Sequence, residues 1–334
     1  MDSTLLKNEH SLNESLIHDE KRTDKKSFKK GINRLSLTLT IYELMMVAGY
    51  IFYSIFLIIQ NPDISDELFT ELSDAALGNG WIIMAGVAVG LLFILLLRKK
   101  DIFSDLTKKN RSMTLPSFIK ILFCFMSAQI LFVVFSTLFE SFLNVFGYTN
   151  LAAIEEASSA SLTFSLFLYA GIAGPLTEEI VFRGAALRYL EKYGKVFAII
   201  VSALLFGVFH GNLMQGFFAF AVGLVLGYVA LEFSFKWAVV LHILNNLVFS
   251  ELLGRFLELL DPSLADMILY ALYTVFFAGG VLVLYIERKR IQEYLSSNRS
   301  NKTAYLYAFT AFWMIVYIAI NFVMAFMGIT PLVN

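Results

Sequence analysis

The residues best equipped for chemistry lie in a short stretch, Pro175-Leu-Thr-Glu-Glu-Ile-Val-Phe-Arg-Gly184, where two adjacent glutamates and an arginine interrupt an apolar region. Ionisable groups within a bilayer are costly unless they are paired or face a polar cavity. Three so close together therefore need an explanation beyond packing. Of the four histidines, His10 and His18 fall in a polar N-terminal stretch, whereas His210 and His242 lie in apolar segments that follow the glutamates. On a helix, Glu179 and Arg183 are four apart and share a face, so they can pair, with the acid N-terminal to the base. Glu178 is turned about 100° away, beside Phe182 and without that partner. The pattern predicts a structural glutamate–arginine pair and a chemical glutamate suited to general-base work, although both acids can line one cavity.

The later segments supply complementary groups. Phe206 and His210 are four apart, and so are His242 and Asn246 within His242-Ile-Leu-Asn-Asn246. An imidazole and a carboxamide on one face are two donors able to converge on one oxygen, as an oxyanion hole requires. Glu178 with His210 suits the activation of a water, and His242 with Asn246 suits the tetrahedral intermediate of amide hydrolysis. The same residues offer an alternative: Glu178, His210 and His242 form a donor set for Zn²⁺ with an open position for water. On the first reading no cofactor is required. Glu43 in the first apolar segment and Asn321 in the last are isolated polar residues, expected to make interhelix contacts. Cys124, the single cysteine, sits between Phe123 and Phe125 and reads as a plain thiol.

The elements that must position these groups are membrane helices. Hydrophobic residues make up 58% of the 334-residue chain, charged residues 16%, and mean hydropathy is +0.70. A soluble domain carries about a quarter charged residues, so the expected fold is all-α, a polytopic transmembrane bundle. Apolar runs of spanning length occur near 35–59, 81–97, 117–139, 162–189, 196–211, 213–234, 236–253, 266–286 and 304–327. The expectation is eight or nine spans, those near 196–211 and 236–253 being short enough for one to be re-entrant. Gly86/Gly90 and Gly223/Gly227 have the spacing that lets membrane helices approach closely.

Lysine and arginine alternate between connections: they crowd 21–34, 98–111, 188–195 and 288–290, and are absent from 60–80 and 140–161. The positive-inside rule then predicts a cytoplasmic N-terminus and an outer C-terminus. Residues 1–34 read as a basic, disordered cytoplasmic tail, 35–160 as accessory helices, 161–253 as the catalytic core and 254–334 as C-terminal helices.

The residues Glu178-Glu179-x-x-x-Arg183, Phe206-x-x-x-His210 and His242-x-x-x-Asn246, in that order, resemble the three motifs of the CPBP family. That family comprises type II CAAX prenyl endopeptidases and bacterial Abi-type proteins linked to bacteriocin self-immunity and peptide processing. The resemblance spans 171–250, including Gly171-x-x-Gly174-Pro175 and Lys236-Trp237. It implies an intramembrane endopeptidase using a glutamate-activated water, with catalytic roles for Glu178, Glu179, His210, His242 and Asn246 and a structural role for Arg183. The family is often labelled metalloprotease, and a metal-free glutamate mechanism has also been proposed for it.

Other intramembrane protease chemistries fit poorly: H-E-x-x-H and G-x-S-G are missing, and the aspartates fall in the tail and loops. The leading expectation is an enzyme that cuts a membrane-associated peptide or protein in a bacterial plasma membrane, in bacteriocin or pheromone processing or self-immunity. The alternatives are a non-proteolytic immunity or scaffold protein and, less well matched, a proton-relay transporter. The expected partners are the lipid bilayer and a peptide or membrane-protein substrate, with no nucleic acid. The chain leaves its oligomeric state open.

Overall fold

The computed structural model describes the backbone of residues 3–99, 101–158, 161 and 163–332, and the side chains of these except 3–23, 74, 77 and 156–158. The chain is a helical bundle. In order it contains α1 (Ser3–Gln60), α2 (Asp66–Leu77), α3 (Gly80–Arg98), α4 (Asp101–Thr107), α5 (Leu115–Val145), α6 (Leu151–Ser158), α7 (Phe164–Tyr193), α8 (Lys195–Phe209), α9 (Leu213–Glu232), α10 (Phe235–Leu257), α11 (Pro262–Ser297), α12 (Lys302–Phe309) and α13 (Phe312–Met327). Short polar residues start many of them by accepting from the orphan amides of the first turn. Asn79 caps α3, Thr114 α5, Thr163 α7, Asn212 α9, Asp261 α11 and Asn301 α12.

Seven helices among the described residues are long and apolar enough to cross a bilayer, and α12–α13, bent by 68°, makes an eighth if counted as one broken span. Of the eight or nine spans read from hydropathy, the short run near 196–211 falls below spanning length as α8. Its 15 residues reach about 22 Å at 1.5 Å per residue, short of a hydrocarbon core of about 30 Å. The 236–253 segment, expected to be short, extends instead to Leu257 and qualifies as a span. The disordered tail expected up to residue 34 is also corrected over its last stretch. From Asp24 onward α1 is packed: the Phe28 ring lies 4.2 Å from that of Tyr193, and Ile32 is fully buried.

The basic segments gather at one end of the bundle. Lys29 donates to the Thr310 carbonyl (2.8 Å), Lys108 approaches Glu191 (3.6 Å), and Lys195 (2.7 Å) and Arg111 (3.6 Å) both meet buried Glu232. Tyr148–Thr149 and Thr330–Pro331 pair as a two-stranded antiparallel ribbon, β1–β2, at the far ends of α5 and α13. The core sits among α1, α7, α8, α9 and the first half of α10, with Leu35, Phe182, Phe197, Leu226 and Leu241 buried. The outward faces remain apolar, with Phe52, Leu96 and Val145 well exposed, as a lipid-facing surface demands. Both glycine pairs lie at helix contacts: a Cβ on Gly86 would stand 2.7 Å from the Met45 carbonyl oxygen, and one on Gly223 3.2 Å from the Ala203 Cα.

Candidate active site

The glutamates ride on α7, which is not a uniform helix. Phe164–Leu168 is α-helical, Tyr169–Ala173 π-helical, Gly174–Glu179 α-helical and Ile180–Leu187 π-helical again. Pro175 contributes to this irregularity because it has no amide hydrogen to continue the ladder. The Thr177 hydroxyl donates back along the helix to the carbonyls of Ala173 (2.8 Å) and Gly174 (2.9 Å). A π-turn re-aims the side chains that follow it, and such turns concentrate at functional sites. Helix α10 changes pitch in the same way, from α-helical Phe235–Ile243 to π-helical Leu244–Leu252.

Four of the expected residues form one connected chain. Arg183 Nη1 lies 3.0 Å from Glu179 Oε1, as the four-residue spacing predicts. The same oxygen meets His242 Nδ1 at 2.9 Å, and His242 Nε2 stands 3.7 Å from Glu178 Oε2. Side-chain exposure is 0% for both Glu179 and Arg183, against 14% for Glu178 and 6% for His242. The inner glutamate is therefore sealed while the outer one has an opening. Because removing one member of a buried ion pair strands the other charge, the pair locks the rotation of α7. The Arg183 guanidinium also lies 4.2 Å from the centre of the Phe206 ring, a cation–π contact.

Phe206 joins the two imidazoles. Its ring meets His210 edge-on at 4.9 Å and His242 edge-on at 5.7 Å. His210 is oriented by its own helix, with Nδ1 2.8 Å from the Phe206 carbonyl oxygen, which fixes Nδ1 as the donor. His210 lies within electrostatic range of Glu178, His242 and Arg183. The short α8 accounts for its place: the helix stops at Phe209, His210 caps its C-terminus, and the turn into α9 follows.

Two pairings differ from expectation. The imidazole within ion-pair distance of Glu178 is His242, at 3.7 Å, and the joint His242–Asn246 oxyanion grip is not formed. Asn246 Nδ2 donates instead to the Ala170 carbonyl (3.1 Å) on α7, and both ring nitrogens of His242 face carboxylates. The cause is the change of pitch at Leu244, which breaks the regular four-residue register between positions 242 and 246.

Several residues of this neighbourhood were not anticipated. Gln129 of α5 donates to Asn245 Oδ1 (3.0 Å), and Asn245 donates to Asn246 Oδ1 (3.0 Å), a carboxamide relay ending at Ala170. Tyr42 of α1, buried, and Tyr169 lie within electrostatic range of Glu178. Gln129 was visible as a lone amide in an apolar run, and Asn245 as the neighbour of a motif residue. Glu43 and Asn321 find each other, Asn321 Nδ2 donating to both Glu43 carboxylate oxygens (3.1 and 3.0 Å).

Of the donor set that could offer a Zn²⁺ site, Glu178 Oε2 and His242 Nε2 stand 3.7 Å apart, while among the described residues no three His, Cys, Asp or Glu side chains come together as a metal-holding group.

Comparison with known proteins bears out the resemblance drawn from the motifs. Residues 160–248 match the family model of the type II CAAX prenyl endopeptidase Rce1-like proteins. No curated protein and no solved structure matches the chain. The matched segment is about a quarter of the chain; it runs from α7 into α10 and includes Glu178, Glu179, Arg183, Phe206, His210, His242 and Asn246.

Proposed function

Proceeding from that family match, we propose that the chain is an intramembrane endopeptidase in which Glu178 activates a water for attack on a peptide carbonyl. The observation that carries the reading is the linkage Arg183–Glu179–His242–Glu178. A gap of 3.7 Å between Glu178 Oε2 and His242 Nε2 is too long for a direct hydrogen bond and of a size that one water can bridge. Arg183 and Glu179 hold the far side of the imidazole, so Nδ1–H donates to Glu179 and Nε2 is the nitrogen presented to the water.

Glu178 takes a proton as the water oxygen bonds to the carbonyl carbon. It returns that proton to the leaving amide nitrogen as the C–N bond breaks. His210, anchored through Nδ1, leaves Nε2 as an acceptor able to orient the attacking water. Asn246 acts by holding α7 through Ala170. We place the basic end of the bundle in the cytoplasm of a bacterium by the positive-inside rule, with Pro331 on the outer side. The substrate class that suits this setting is a membrane-associated bacteriocin, pheromone precursor or leader peptide.

The test compares peptides released by membranes carrying wild-type protein and Glu178→Gln, each with and without a chelator. General-base loss should lower cleavage by about 100-fold or more, with the variant still folded and chelator without effect. Wild-type cleavage by folded Glu178→Gln defeats the proposal. Cell protection that persists in Glu178→Ala and His210→Ala supports a binding protein instead.

A further inference from the structure

A second built feature lies at the basic end, outside the site. A pocket of about 330 Å³ is lined by the cations Lys109, Arg111 and Lys236 and by the apolar side chains of Met113, Phe233 and Trp237. We propose that it binds the phosphate headgroup of an anionic phospholipid. The inference rests on the membrane embedding of the bundle and not on the protease reading.

The pocket is held by backbone rather than by mobile loops. Asn110 N–H donates to the Phe233 carbonyl (3.0 Å), Arg111 N–H donates to the Glu232 carbonyl (3.1 Å), and Lys109 bridges antiparallel to Ser234. The 109–111 cations are thus fixed against the turn between α9 and α10. The carboxylate nearest them, Glu232, stands 3.6 Å from Arg111 and is already matched by Lys195 (2.7 Å) and the Tyr294 hydroxyl (3.1 Å). That leaves the pocket with an excess of positive charge.

Its level in the molecule points to a lipid rather than a soluble anion. One spanning helix ends at Glu232, one begins at Phe235 and one begins at Leu115, all beside the pocket. The pocket therefore sits where hydrocarbon gives way to headgroups. Met113 and the Trp237 ring, the latter 5.6 Å from Phe118, supply an apolar wall for the glycerol and upper acyl chains, for which a free phosphate has no use. Basic pockets between membrane helices bind anionic headgroups in this way. Lys236 lies six residues before His242 on the same helix, so a bound headgroup also anchors the start of the helix that carries the imidazole.

The experiment uses the full chain in non-ionic detergent and native mass spectrometry. Retention of phosphatidylglycerol is measured against phosphatidylcholine of the same chain length. The wild type should prefer phosphatidylglycerol, and Lys109→Gln/Lys236→Gln should lose about five-fold of that preference for each lysine removed. Lys289→Gln, at the same end but away from the pocket, should leave it unchanged. If the double variant does not fold, Lys109→Gln alone must show the five-fold loss. An undiminished preference in the lysine variants, an equal loss in Lys289→Gln, or displacement of the lipid by millimolar inorganic phosphate overturns the proposal.

Discussion

At the scale of single residues, the site is a study in what a buried charge requires. Arg183 has one carboxylate partner and an aromatic face, and every part of it is out of solvent. Replacing it by Met strands the Glu179 charge against His242 alone, a change expected to cost about 3–5 kcal/mol. Thermal unfolding in detergent should register the loss, and Glu179→Gln added to Arg183→Met should recover part of it; a double variant no more stable than the single one contradicts the account. Gln129 acts differently, since it touches Asn245 and not the reacting groups. Gln129→Leu leaves Asn245 Oδ1 unsatisfied, at about 1–3 kcal/mol. By loosening Asn246 it should lower kcat with KM little changed, and a fall in stability with no kcat effect would reduce Gln129 to a packing residue. The Glu179–Arg183 contact was readable in advance because its two members share one helix and local spacing decides the matter. The partner of His242 was not, because which nitrogen meets which carboxylate depends on the docking of α7 against α10, and no local spacing encodes that.

At the scale of elements, pitch and close approach decide what the residues can do. Hydropathy finds an apolar run and is blind to a wider turn within it, so the π-helical stretches of α7 and α10 were not foreseen, nor was the bend between α12 and α13. Those irregularities are also why the expected His242–Asn246 face came out wrong while the helices themselves came out right. The glycine spacings fared better, because they report a need for room that exists at any pitch. The two glycines of α9 should nevertheless differ. A Cβ at Gly223 meets the Ala203 Cα at 3.2 Å and Arg183 Nη2 at 3.3 Å, whereas at Gly227 the nearest atom is Ile199 Cγ2 at 3.5 Å. Gly223→Val should therefore push α9 from α8 and disturb the buried arginine, costing about 1–3 kcal/mol. Gly227→Ala should be close to neutral, and equal melting temperatures for the two variants would show that the α8–α9 contact is not under steric control.

For the whole molecule, the alternation of charge along the chain becomes a spatial fact: basic segments far apart in sequence share Glu191 and Glu232 at one end. The lysine-free 60–80 connection belongs to the other end, where Thr163 donates to the Gly78 carbonyl and the β1–β2 ribbon closes the bundle. This separation fixes the ends relative to each other, and the membrane supplies the sign. If cytoplasmic retention of lysine and arginine sets the orientation, a cysteine at Asp63, exposed in the connection after α1, faces outward. A cysteine at Lys289, exposed near the basic end of α11, faces inward. In a Cys124→Ser background, a membrane-impermeant thiol reagent applied to intact cells should label Asp63→Cys and spare Lys289→Cys until the membrane is opened. The reverse pattern would move the basic end outside. It would also invert the site between the two leaflets, since Glu178 lies near the midpoint of α7, between Phe164 and Tyr193.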